Sequence, residues 1–223
     1  MTEFTTWRSL VDGAEISAIP DSVVSRYVPK EQPLGTITTV EDSEDFSNLS
    51  GSAEIVDNGI NNNQSFRLNG SELLQHNTTY GDSTNHFAVV FPYQIQEAVN
   101  SNNFLVDGGS LLEFAVQDDD GGEFQLYINS NIDDNTGYVP DGNPHIARLE
   151  VDENDNVTFA IDGVAQSTPT LNQNGLSGLT LASRADDTLK LQADYGEVLV
   201  LVNPESGDVS DTEDRLAQEF DIA

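Results

Sequence analysis

The chain has 223 residues, no cysteine and a formal net charge of -31, from 8 basic and 39 acidic side chains. That length suits one domain, or one domain with an arm, and can bury a core without disulfides or a structural metal. The charge excludes nucleic acid, which needs a basic face to release counterions, and an anionic membrane surface, which would repel the chain.

The opening Met1-Thr2-Glu3-Phe4 has no basic or apolar leader region, so synthesis and assembly in a cytoplasm are expected. Residues 1–40 read as an arm. Phe4, Trp7, Leu10, Ile16 and Ile19 are apolar without a sustained period, and Pro20, Pro29 and Pro33 keep any helix short. An apolar arm on so acidic a chain has to be covered, either by its own head or by a partner subunit.

Residues 41–223 read as β. Phe87 to Phe91 is an apolar run, and Ser110 to Val116 and Glu123 to Ile128 flank an Asp-rich loop like a hairpin. Ala147, Leu149 and Val151 share one strand face; Val157, Phe159 and Ile161 do the same after the turn at 152–156. Leu179 to Ala182 and Leu189 to Ala193 look like another pair. Val198 to Val202 is apolar on both faces, which suits a strand covered twice. Short strands at close spacing predict an all-β, two-sheet antiparallel jelly-roll sandwich. One helix is expected at the C-terminus, with Ser210 and Glu213 as a capping box and Leu216 and Phe220 on one face. No apolar run nears the ~20 residues that span a membrane.

Aspartates outnumber glutamates, 23 to 16, and only Lys30 and Lys190 are lysines. Such a surface repels itself in dilute buffer. In molar salt, where the screening length is ~3 Å, it does not. The composition therefore points to a halophilic source, an archaeon or one of its viruses.

From about residue 45 the order of motifs resembles the concanavalin A-like jelly roll in its laminin-G-like form. The carriers are Phe66-Arg67-Leu68-Asn69-Gly70, His86-Phe87-Ala88-Val89-Val90-Phe91, the strand led by His145, Ile161-Asp162-Gly163-Val164, and Asp194 to Val200 followed by an acidic helix. Pro144 stands where the family often has a tryptophan. The resemblance implies two packed antiparallel sheets and recognition of carbohydrate or protein. With the arm and the acidic surface, it leads to a non-enzymatic surface protein of a tailed virus of halophilic archaea. Such a protein would sit on a capsid, turret or tail fibre beside other virion proteins, as a trimer or pentamer of its own copies. Its partner would be a host surface-layer glycan. The alternatives are a glycan-active hydrolase and a free lectin-like module of the same fold.

Candidate chemistry follows. Tyr127, Tyr138 and Tyr195 are candidate sugar platforms. Asp118, Asp120 and Asp141 lie in Asp- and Asn-rich loops and are candidate ligands for Ca²⁺ or another cation, although no cofactor is required. The nearest glycosidase-like pattern, Glu150-Val151-Asp152-Glu153-Asn154-Asp155, ends in a turn and reads as a solvated acidic hairpin. His76, His86 and His145 are too scattered in sequence to form an expected constellation.

Overall fold

The computed structural model describes residues 10–11, 14–15, 18–44, 46–80, 86–96, 103–108, 113–116, 123–128, 131–154, 156–168, 176–184, 186–188 and 190–222. In chain order the strands are β1 (Leu10–Val11), β2 (Ala14–Glu15), β3 (Val23–Tyr27), β4 (Gly35–Val40), β5 (Leu49–Val56) and β6 (Ser65–Asn69). Next come β7 (Leu74–His76), β8 (Phe87–Ile95), β9 (Asn103–Asp107), β10 (Glu113–Val116), β11 (Gln125–Ile128) and β12 (Asn131–Asn135). The last are β13 (His145–Val151), β14 (Val157–Ile161), β15 (Val164–Ser167), β16 (Leu179–Leu181), β17 (Gln192–Tyr195) and β18 (Val198–Val202), followed by helix α1 (Asp208–Phe220).

All pairings are antiparallel, and 14 strands form one connected ladder. One layer runs β6-β17-β8-β13-β14-β15, with β18 and β3 continuing from the edge of β8 that β17 also uses. The other layer runs β4-β5-β7-β16-β9-β10. Strand β5 joins them, because Glu54 to Val56 pair with β6 while Ser50 and Gly51 pair with β7. The fold is the expected all-β sandwich with a C-terminal helix.

Side-chain alternation builds the core. Ala147, Leu149 and Val151 point between the layers with Val157, Phe159 and Ile161, where they meet Leu105, Leu179 and Leu181. Strands β8 and β18 are buried on both faces. Val89, Phe91, Val198 and Val200 enter the central core. Ala88, Val90, Leu199 and Leu201 lie in a second cluster under Val209, Leu216 and Phe220 of α1. The helix thus supplies the second cover that the apolar run of β18 demanded. The two-residue turn Asp162-Gly163 links β14 to β15, both residues having positive φ (49° and 72°), as a right-twisted hairpin requires.

Four expectations are corrected. Residues 23–40 are not an arm: β3 pairs with β18 and β4 with β5, so both belong to the sandwich. Leu179–Leu181 does not pair with the strand near residue 193; it lies between β7 and β9, while β17 lies between β6 and β8. Strand β10 pairs with β9 and β11 with β12; β10 and β11 lie side by side, but no ladder joins them among the described residues, and the loop between them lies outside those residues. The helix starts before Ser210, after Gly207, with no side-chain cap bond. The Ser210 hydroxyl instead donates to the Gly207 carbonyl, and Glu213 faces Arg148 of β13.

Each of the seven described basic side chains has an acidic partner within 4.0 Å. The densest group ties α1 to the sheet. Glu197, 1% exposed, accepts from Arg26 Nε of β3 (2.6 Å) and from Arg215 Nη2 of α1 (2.8 Å). Burial works against its ionisation, but the two guanidiniums outweigh it and hold the carboxyl below its usual range.

A buried polar chain crosses from β3 to β7. The Thr78 N–H donates to His76 Nδ1 (3.0 Å), so the imidazole hydrogen sits on Nε2, 2.7 Å from the Tyr80 hydroxyl. Tyr80 donates to Ser25 Oγ (3.0 Å), and Ser25 donates to the Asp42 carboxylate (2.7 Å). Burial lowers the His76 pKa from 6.5 to about 4, and protonating Nδ1 would also set two N–H groups against each other. The folded pKa lies below the unfolded value, so the unfolded chain takes up this proton first. Stability is present at neutral pH and is lost as pH falls from about 6.5 toward 4, by about 3 kcal/mol from this group. Urea unfolding in molar salt at pH 7 and pH 4 checks this: His76→Gln should shrink the loss by about that amount.

Candidate functional site

The structure brings two sequence-selected residues, Tyr138 and Asp141, together at one end of the sandwich. The segment 136–144 leads into β13, and His145 opens that strand directly opposite Tyr93 of β8. The Asp162-Gly163 turn, at the far end of β14, returns to the same place. His145 Nδ1–H donates to Asp162 (2.6 Å) and Nε2–H to Asp141 (2.9 Å). With a carboxylate on each nitrogen, the ring is held as imidazolium, and its pKa is raised, the hydrogen bond to Asp162 being the largest cause. That stabilisation is present below the unfolded pKa and is lost as pH rises through the folded one.

The bonds to His145 and Asn143 in turn hold Asp141 at a pKa of about 2. Asp141 accepts from His145, from the Asn143 N–H (2.9 Å) and from Asn143 Nδ2 (2.7 Å). Asp162 accepts from His145 and from the Ile146 N–H (2.8 Å). A carboxylate offers about four acceptor sites, so both keep capacity for further donors. Asp141 is half exposed.

Aromatic rings floor the cluster. Tyr138 stands edge-on to His145 (centroids 5.8 Å, interplanar angle 89°) and leans on Phe124. Tyr93 lies beneath, 6.0 Å from His145 and 6.2 Å from Phe124. The Tyr93 side chain is 1% exposed, yet its hydroxyl makes no hydrogen bond of good geometry. Burial raises its pKa well above 10, and the nearby Tyr138 hydroxyl, Asp162 and Asp141 raise it further. Tyr138 is half-buried, and burial and Asp141 push it up to about 12. Both phenols are therefore neutral donors. The arrangement offers a partly exposed ring and two carboxylates with spare acceptor capacity, over a buried hydroxyl that lies beside that of Tyr138. Those groups suit a ligand with hydroxyls and a flat apolar face.

The other selected residues do not gather here. Tyr195 is fully buried, and its hydroxyl donates to the Leu105 carbonyl (2.6 Å), so its ring offers no face to a ligand. Tyr127 lies in β11, and its side chain is outside the described residues, as are Asp118 and Asp120. Among the described residues no group of three His, Cys, Asp or Glu is placed to hold a metal ion. Of the arm residues, Phe4, Trp7 and Ile16 are outside the described set, and Leu10 falls in β1, which pairs with β2. Ile19 packs half-buried against the cluster under α1, on its own sandwich. Glu150 is bound by His86 (2.8 Å) and Arg148 (3.2 Å), while Asp152 accepts the Asn154 and Asn156 N–H groups in its turn, as a hairpin cap. A small cleft of about 60 Å³ beside Glu197 and Glu219 offers room for water rather than a sugar ring.

Sequence reasoning missed His145, Asp162 and Tyr93 as a group. The i,i+4 spacing of Asp141 and His145 was a usable signal, and so was the Asp-Gly turn that positions Asp162. Only the ladder reveals that the two meet.

No family model matches the chain, and no curated protein matches it. Solved structures do. A mutant of Trypanosoma rangeli sialidase displaying trans-sialidase activity is 14% identical with a TM-score of 0.68, over 92% of this chain and 34% of the sialidase. The chain thus spans about a third of that protein's length. Domain 4 of a GH43 extracellular arabinanase from Geobacillus stearothermophilus, in complex with arabinotriose, is 14% identical with a TM-score of 0.60, over 85% of this chain and 97% of that domain. The binding domain of botulinum neurotoxin DC, in complex with rat synaptotagmin II, is 12% identical with a TM-score of 0.63, over 89% of this chain and 52% of that one. The non-enzymatic reading of the sequence does not stand, because structures that share this fold include parts of a sialidase and an arabinanase. At these identities the likeness is one of fold: the chain has the β-sandwich found in carbohydrate-binding and glycoside hydrolase domains.

Proposed function

We propose that this chain is a glycan-binding β-sandwich whose ligand docks at Tyr138, Asp141 and Asp162, above the buried Tyr93. The observation that carries the reading is the partly exposed Tyr138 ring set beside Asp141 and Asp162, two carboxylates with acceptor capacity to spare. A fold shared with an arabinanase domain in complex with arabinotriose supports it. A virion or cell surface in molar salt is the setting we favour; the acid excess supports the salt.

The test is calorimetric titration against a panel of neutral oligosaccharides in 3 M NaCl, with reducing-end release followed in the same samples. Tyr138→Ala should weaken binding at least tenfold, as loss of an aromatic anchor does. Tyr93→Phe should leave binding unchanged and raise stability by about 1 kcal/mol, since it removes a poorly satisfied buried hydroxyl. If Tyr138→Ala leaves binding unchanged, the site lies elsewhere.

A further inference from the structure

Resting on that site, the structure assigns the ligand class: we infer that it takes uncharged glycans and rejects sugars that carry a carboxylate. Recognition of an anionic sugar calls for a guanidinium or ammonium free to meet it. Every described lysine and arginine already has an acidic partner within 4.0 Å, and none of these ion pairs involves a residue of the cluster. The one cation at the site, His145, has both nitrogens committed to Asp141 and Asp162. A sugar carboxylate entering here would meet two carboxylates balanced by a single imidazolium.

The same groups favour neutral sugars. Asp141 makes three bonds and Asp162 two, so each can accept from a sugar hydroxyl. Tyr138 can donate to ring or hydroxyl oxygens. Salt does not remove the discrimination. In molar salt the screening length is ~3 Å, about the distance at which the carboxylates would touch, so direct apposition still repels while the long-range field of the -31 surface is screened. Fold resemblance to a sialidase would suggest the opposite preference, which makes the charge argument decisive.

The experiment compares arabinotriose and lactose with sialyllactose, at 0.5 M and 3 M NaCl, on the full chain. Neutral sugars should bind at least tenfold more tightly than sialyllactose, with a wider gap at lower salt. Asp141→Asn, in an exposed loop, should narrow the gap, and Asp162→Asn, which keeps a residue tolerant of the turn's positive φ, should do the same. Equal or tighter binding of sialyllactose overturns this inference and leaves glycan binding at the site intact. Failure of every sugar to bind overturns both readings.

Discussion

Glu197→Ala is expected to lower folding stability by about 3 kcal/mol, measured by urea unfolding in molar salt. Losing one member of a buried ion group leaves its partners charged in a poor solvent, a loss of about 3–5 kcal/mol. The low end applies because Glu31 stays near Arg26 (3.6 Å) and Glu219 near Arg215 (3.0 Å). The guanidiniums come from β3 and α1, so the damage is at the seam where the helix meets the sheet. Two controls separate this from loss of packing. The effect should be the same at 0.5 M and 3 M NaCl, since salt screens buried pairs little. Replacing all three residues together, as Arg26→Met, Glu197→Leu and Arg215→Met, should recover most of the stability, because a packed apolar trio has no charge to desolvate. If the triple variant is as weak as Glu197→Ala, the ion group is not the cause.

Gly51→Ala is the second large effect. Gly51 has φ +146°, and an added Cβ would lie 2.0 Å from the Leu73 carbonyl oxygen, a backbone atom that already accepts the Ser52 N–H (3.0 Å). The overlap cannot be relieved by turning a side chain; β5 and β7 have to separate. Strained backbone costs about 1–3 kcal/mol, and overpacking adds about 1–3 more. A loss of about 3–5 kcal/mol should appear as a lower urea midpoint. Gly35→Ala is the matched control: φ is +99° but nothing lies within 4 Å, so only the strain should register. Equal losses at the two positions would rule out the steric argument for Gly51.

How far the sequence went can be seen in single residues. The period-two pattern at Ala147, Leu149 and Val151 states which side chains face inward, and they do. The unbroken run at 198–202 announces two covers, and α1 provides the second. Pairing was less legible. Leu179–Leu181 is short and apolar, and nothing local distinguishes β7 and β9 from a neighbour close in sequence. Adjacency along the chain was the wrong guide, because a jelly roll sends successive strands to different layers. Residues 23–40 were read into the arm for a related reason: Val23 and Tyr27 look apolar without a period because a bulge opposite Val200 and Leu201 shifts their register. At the site, Tyr138 and Asp141 were chosen for chemistry alone and proved to be neighbours. Tyr195 was chosen the same way and proved to be core, since a tyrosine's sequence does not reveal whether its hydroxyl finds a backbone carbonyl. Their arrangement around His145 depends on a turn 17 residues further on, beyond the reach of local pattern.

The pairing of β3 with β18 has a consequence for how the chain is made. Tyr27 lies beside Val198, and Val23 beside Leu201. During translation the early strand leaves the ribosome and waits for its partner on the order of ten seconds. Until then β8 lacks a neighbour along Phe87 to Val90, and its apolar edge is open to other chains. In molar salt, repulsion between nascent chains is screened beyond ~3 Å, so the net charge of -31 does not hold such edges apart; docking of β3 and β18 has to close them.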